Sequence, residues 1–149
     1  MDTLSVRGRS ARMRLVRSRG GKSTEQKVRS ALIGSRLSGW KINDSGVFGK
    51  PDFVFHSKKL AIFIDGCFWH GCKRHYRRPK SNTNYWDAKK IHNMQRRRLV
   101  DRQLRMAGWR VMHIWEHDVR SGEYKKRLFR SCGIGIPTRP TDSVSGKSE

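Results

Sequence analysis

The chain has 149 residues with 34 Lys and Arg against 12 Asp and Glu, a formal net charge of +22 and only 35% hydrophobic content. That length supports one domain with a single modest core, and the charge favours polyphosphate partners through counterion release, leaving a ribosomal or histone-like protein open on composition alone. An odd cysteine count of 3 argues against a secreted disulfide framework, and no apolar run is long enough for a signal peptide or a membrane span, so a cytoplasmic, nucleoid-associated protein without membrane contact is expected.

Residues 1–22 hold Arg7, Arg9, Arg12, Arg14, Arg17, Arg19 and Lys22 against the single acid Asp2, with Gly8, Gly20 and Gly21 between them. This composition predicts a basic flexible arm that tracks DNA and orders on binding. Ser23-Thr24-Glu25 predicts a helix start with Ser23 as cap, and Val28, Ala31, Leu32 and Ser35 give it an apolar face that Gly39 closes. Trp40-Lys41-Ile42 is a short strand. Asp52-Phe53-Val54-Phe55 and Leu60-Ala61-Ile62-Phe63-Ile64 are adjacent buried strands joined by the polar turn His56-Ser57-Lys58-Lys59, and an irregular loop follows over 66–83. A long helix is expected from Tyr85 to Ala107, ended by Gly108. Its apolar positions form two stripes (Ala88, Ile91, Met94, then Val100, Leu104, Ala107) that are out of phase, which predicts a kink or different partners at the two ends. Trp109 to Trp115 is a final strand, and beyond Arg120 the chain turns basic and then Ser/Thr/Pro/Gly-rich, with one helical turn over 123–130. The order is α-β-β-β-α-β, dividing the chain into the arm 1–22, a domain over 23–120 and a basic C-terminal tail over 121–149. No coiled coil or large apolar patch is legible, so a monomer is expected.

Acids are scarce here, so an acid inside an apolar strand needs a reason. Asp52 heads one strand of the hairpin and Asp65 ends its neighbour. The two ends of an antiparallel pair lie side by side, so both carboxylates are expected to reach one cation. With the backbone carbonyl of Ile64 they suit Mg²⁺ and leave water positions open. The spacing alone is equally compatible with two acids capping strands in solvent. Cys67-x4-Cys72-x2-His75 adds three zinc-type ligands within a nine-residue loop, and His117 supplies a fourth just after the last strand. Four N/S ligands with no open position describe a closed structural Zn²⁺ site. His113 or another histidine in place of His117, or two simply buried thiols, are the alternatives, and Cys132 is expected to be a bystander in the tail. On the long helix, Lys89, Lys90, Arg96, Arg97, Arg98, Arg102 and Arg105 suit phosphate contacts along a duplex.

Gly-Lys-Pro-Asp52-Phe, Asp65-Gly-Cys-Phe-Trp-His70 and Gly108-Trp-Arg-Val with Trp115-Glu-His117 resemble the very short patch repair endonucleases of the PD-(D/E)xK nuclease superfamily, over residues 12–120. The resemblance implies an α/β fold with that superfamily's core, a mixed central sheet flanked by helices, here stabilised by zinc. It implies a Mg²⁺-dependent endonuclease that nicks one strand of double-stranded DNA at or near a T·G mismatch and wedges aromatics into the base stack. By residue it implies Asp52 as the catalytic aspartate, Ile64 as the carbonyl ligand to magnesium, His70 in proton transfer, Glu25 as the acid on the first helix, and Phe68, Trp69 and Trp86 as intercalators. Arg12, Arg14, Arg17, Lys22, Lys89 and Arg96 are the candidate phosphate contacts. Repair or mobile-element proteins are the expected protein partners.

Two positions depart from the family pattern. Asp65 stands where many relatives have histidine, and Arg97 where they carry an aspartate. Either Asp65 is a direct magnesium ligand, or Asp65 and Arg97 form a sign-swapped structural pair; Asp101, one turn on, is a weaker substitute acid. These departures leave open a related nuclease of a mobile-element or defence system acting on matched or branched DNA, and a catalytically idle zinc-stabilised DNA-binding module.

Overall fold

The computed structural model describes residues 23–134; the expectations for the arm 1–22 and for residues 135–149 lie outside the described residues. Helix α1 occupies 23–34. Its Val28 and Leu32, one turn apart, are fully buried, as the spacing predicts. Residue 23 is already helical, so Ser23 lies inside the helix rather than at its cap. The helix also ends before Gly39, where Arg36 turns to a φ of 55° and the Leu37 N–H bonds the Leu32 carbonyl.

Strands β1 (Trp40–Ile42), β2 (Phe53–Phe55) and β3 (Leu60–Asp65) form an antiparallel meander, and helix α2 (Thr83–Met106) carries the chain over to β4 (Arg110–Trp115), parallel to β3. The result is a four-stranded mixed sheet in the order β1-β2-β3-β4. Helices α3 (Glu116–Ser121) and α4 (Tyr124–Ser131) follow, and α3 was not signalled by any apolar period.

Alternation along the strands separates two cores. Phe53, Phe55, Leu60, Ile62, Met112 and Ile114 face α1, α3 and α4, joining Val28, Leu32, Val119 and Leu128. Val54 and Ala61 face α2 and pack on Val100 and Leu104, with Phe63 and Val111 beside them. Phe63 and Asp65 are next along this same α2-facing side of β3, and their register partners on β4 are His113 and Trp115. An apolar stack therefore gives way to polar groups at the C-terminal ends of two parallel strands.

Two expectations need correcting. The folded unit does not stop at 120: Tyr124, Leu128, Phe129 and Cys132 are buried in the main core. Burying each large side chain contributes about 1.5–3 kcal/mol, enough to dock an eight-residue helix too short to persist alone. Cys132 is accordingly a core residue, 1% exposed, and not a bystander. The two apolar stripes of α2 are also not both buried. Only Val100 and Leu104 are buried, whereas Ile91 is 51% exposed. Trp86, Lys90, Asn93, Arg97 and Asp101 fall instead on one helical face at spacings of 3 or 4 residues, continuous with Val100 and Leu104. The sheet-facing side is thus aromatic, then polar, then apolar, which accounts for the phase shift. Among the described residues, no helix is long and apolar enough to cross a membrane.

Candidate functional site

Asp52 precedes β2, and its backbone carbonyl accepts from Asn43 N at 3.2 Å. Its carboxylate Oδ2 accepts the Ile64 N–H at 2.6 Å, tying the start of β2 to the end of β3. Burial pushes the Asp52 carboxyl up to about 7; the Ile64 N–H opposes this, and the neighbouring carboxylates of Glu25 on α1 and Asp65 on β3 add to it. Three acids from three elements thus converge on a partly desolvated spot, where charge of one sign is costly unless a cation offsets it. That is the donor chemistry a hard divalent ion needs.

Asp65, 3% exposed, does not point into open space. Its Oδ2 lies 2.9 Å from Arg97 Nη1 and 2.9 Å from His113 Nδ1, and its Oδ1 lies 3.8 Å from His70 Nε2. Asp65 and Arg97 are thus in ion-pair contact. His113 reaches on to Asp101, Nε2 to Oδ1 at 2.8 Å, and its ring stacks on Phe63. Burial holds the His70 imidazole below its usual value, with the Asp65 charge opposing that and Arg97 and His113 reinforcing it. His70 Nδ1 is buried without a hydrogen-bond partner.

The loop after β3 brings Cys67, Cys72, His75 and His117 together, all four ligand atoms within 4.8 Å of one another. Cys67 Sγ is 3.2 Å from His117 Nδ1, and Cys72 Sγ is 3.7 Å from the Nδ1 atoms of both His75 and His117. A tetrahedron with bonds of about 2.0–2.3 Å has edges of roughly 3.3–3.8 Å, so the spacing fits a zinc ion. The other nitrogen of His117 meets Asp118 Oδ1 at 3.1 Å, which turns Nδ1 towards the sulfurs. Burial raises the Cys67 thiol, and Cys72 beside it adds to the effect, so these sulfurs gain from a cation. His113, the alternative fourth ligand, is occupied with Asp65 and Asp101 instead.

Phe68 and Trp69 leave this cluster towards α2 and meet Trp86: ring centroids are 5.1 Å apart for Phe68–Trp69, 5.4 Å for Phe68–Trp86 and 6.1 Å for Trp69–Trp86. All three are partly exposed, and with Tyr76, Lys89, Lys90 and Asn93 they line a shallow pocket. Asn93 Nδ2 donates to the Trp69 carbonyl at 3.1 Å, and Lys90 Nζ sits 4.4 Å over the Tyr76 ring. Arg96 is exposed and Lys89 partly so, both on α2. Arg12, Arg14, Arg17 and Lys22 lie outside the described residues.

Sequence reasoning passed over Asn93 and Tyr76, gave Asp101 little weight, and considered His113 only as an alternative zinc ligand and Lys90 only as a phosphate contact. A signal for His113 existed, since Val111, His113 and Trp115 share one face of a strand whose other face is apolar, so an imidazole there had to meet polar groups on α2.

Comparison with known proteins gives a consistent result. The family model described as DNA mismatch endonuclease Vsr matches residues 1–77. The chain is similar to the type II nicking enzyme V.NaeI of Lentzea aerocolonigenes, 46% identical over 116 residues that cover 74% of this chain and 69% of the relative. It is similar to V.XorIIP of Xanthomonas oryzae pv. oryzae, 39% identical over 85% of this chain and 93% of the relative. It is also similar to the DNA mismatch endonuclease Vsr of Escherichia coli K12, 34% identical over 77% of this chain and 73% of that protein.

Proposed function

The chain belongs to the Vsr family of DNA endonucleases, and from that premise we propose that it is a Mg²⁺-dependent enzyme of PD-(D/E)xK type that nicks one strand of duplex DNA at or near a T·G mismatch. The observation that carries the reading is the convergence of Asp52, Glu25 and Asp65, with the His70 imidazole 3.8 Å from Asp65. Asp52 and the Ile64 carbonyl would hold magnesium, which supplies charge neutralisation at the phosphate and an acidified water. Glu25 orients the attacking water. His70 passes a proton at the leaving or attacking oxygen, and the low affinity its burial imposes favours release of that proton. Asp65 is a second oxygen ligand or the partner of Arg97, and its 2.9 Å contact with that guanidinium supports the pair.

Cys67, Cys72, His75 and His117 would hold a structural zinc, fixing the loop that presents Phe68, Trp69 and His70 to the end of β4. Phe68, Trp69 and Trp86 act as the wedge that unstacks the duplex. Lys89 and Arg96, with Arg12, Arg14, Arg17 and Lys22 of an arm over 1–22, contact phosphates. The protein works as a monomer on double-stranded DNA in the cytoplasm, at the nucleoid.

A second reading stays open, since several relatives are named type II nicking enzymes and not mismatch endonucleases. It is a nicking activity attached to a defence or mobile-element system, with no mismatch requirement. Supercoiled plasmids with and without a T·G mismatch, incubated with Mg²⁺ and with wild type or Asp52→Ala, separate the readings. Relaxation of the mismatched plasmid alone, lost in Asp52→Ala, supports mismatch repair. Relaxation of both supports the second reading, and retained binding with no relaxation would overturn both.

A further inference from the structure

We propose that His113, a residue outside every motif of the chain, is a positioning residue: with Arg97 and Asp101 it clamps Asp65, and through Asp65 it fixes the imidazole of His70 for the nicking step. The inference rests on the endonuclease reading and assigns Asp65 a place beside the metal site instead of in it.

The argument is one of valence and geometry. A carboxylate has two oxygens to offer. Asp65 Oδ2 is claimed from two sides at 2.9 Å, by Arg97 from α2 and by His113 from β4, and only Oδ1 remains, facing His70 Nε2 at 3.8 Å. The Oδ2 contacts are close in distance but off the hydrogen-bonding line, so charge and packing hold them more than directed bonds do. His113 is itself pinned on all sides. Nε2 bonds Asp101 Oδ1 at 2.8 Å, Nδ1 faces Asp65, and the ring lies on Phe63 at 5.3 Å between centroids with planes only 16° apart. Phe63 and His113 are register partners on adjacent parallel strands, so the stack is set by the sheet. Asp101 and Arg97 are one helical turn apart on α2, so a single helix delivers one acid and one base to the two ends of the same bridge. The row Asp101–His113–Asp65–His70 links helix, strand β4, strand β3 and the catalytic loop, with Arg97 closing its side. A histidine whose orientation is set by a carboxylate, itself set by a further pair, is the arrangement that proton-transfer groups need.

Single-turnover nicking of the DNA substrate identified above tests the assignment, with DNA affinity, magnesium dependence and thermal melting measured on each variant. His113→Ala and Asp65→Asn are each expected to lower the rate constant by about 10- to 100-fold, the cost of a catalytic group displaced by about an ångström. DNA affinity and the half-activating Mg²⁺ concentration stay at wild-type values. In a His70→Ala background, His113→Ala should cause no further loss, because it acts only through His70. A merely structural residue would lose activity in both backgrounds. Should His113→Ala melt below the assay temperature, His113→Gln and Asp101→Asn, which keep side-chain volume, carry the same comparison. Wild-type rates for folded His113 variants, additive losses with His70→Ala, or a tenfold rise in half-activating Mg²⁺ for Asp65→Asn would each overturn the proposal. A wild-type protein that nicks no duplex would instead refute the reading it rests on.

Discussion

Gly49→Ala should unseat the loop that delivers Asp52, and its cost follows from three distances. Gly49 has φ +80°, and a Cβ built there would lie 2.3 Å from Val100 Cγ1, 3.1 Å from Cγ2 and 3.3 Å from Cβ. Val100 is 8% exposed and packed among Val47, Val54, Ala61 and Leu104, so its methyls have no free space to swing into. A left-handed backbone costs an L-residue roughly 1–2 kcal/mol, and overpacking a filled site adds about 1–3 kcal/mol. The sum is about 2–5 kcal/mol, which at about 2 kcal/mol per molar urea lowers the unfolding midpoint by roughly 1–2.5 M. Val100→Ala alone removes two methyl groups, worth about 1.5–2.5 kcal/mol. Gly49→Ala/Val100→Ala should then be less damaging than the sum of the singles by about 1–2 kcal/mol, because the truncated side chain relieves the two shortest contacts. Nicking should fall further than stability, since Pro51 and Asp52 follow directly. Urea unfolding of the four proteins decides it. A Gly49→Ala midpoint equal to wild type, or strictly additive losses, would refute the claim that this backbone approach locks the catalytic loop.

Four further outcomes are expected. Asp52, raised from 3.8 to about 7, holds its proton more tightly folded than unfolded. Its stabilising contribution is therefore complete below about pH 4 and lost as pH rises to about 7, at most about 4 kcal/mol. Without added magnesium the wild-type melting temperature should fall across that window relative to Asp52→Asn, and parallel curves would contradict the shift. Because a proton competes for the same carboxylate, the half-activating Mg²⁺ concentration should drop as pH rises to 7 and level off above it. Cys72→Ser should lose bound zinc, measured by atomic absorption, and a circular-dichroism melt of wild type unchanged by chelator would argue against a structural ion. If about six phosphates are neutralised, log K for DNA should fall against log salt with a slope of roughly −5, and a slope near zero would sink the basic-face reading.

Much of this fold was legible because its signals are local. The Asp52 to Ile64 hairpin announced itself by two apolar runs around a polar turn, and the cysteine and histidine spacing drew the ligand cluster before any coordinates did. What stayed hidden depends on which side of an element faces inward. Lys90, Asn93, Arg97 and Asp101 are polar residues on the sheet-facing side of α2, so a search for apolar period followed Ala88 and Ile91 to solvent instead. Helix α3 is six residues long, too short for a period to be read; a helical turn was expected over 123–130, but α4's basic side chains masked the burial of Tyr124, Leu128 and Phe129. The fate of Asp65 was undecidable from spacing because its partners lie 32 and 48 residues away, on elements whose register only the packed sheet sets.

Helix α2 has a consequence for how such a protein diversifies. It is one uninterrupted 24-residue rod, about 36 Å long, bearing the Trp86 ring near its start, Arg97 just past its middle, and Asp101 between the Val100 and Leu104 anchors. Adding or deleting a single residue between Trp86 and Val100 would swing one end by about 100° relative to the other. Trp86 and the Arg97–Asp101 pair would then no longer share an orientation. Side chains along the rod can be exchanged while its phase is kept, whereas its length is not free to drift.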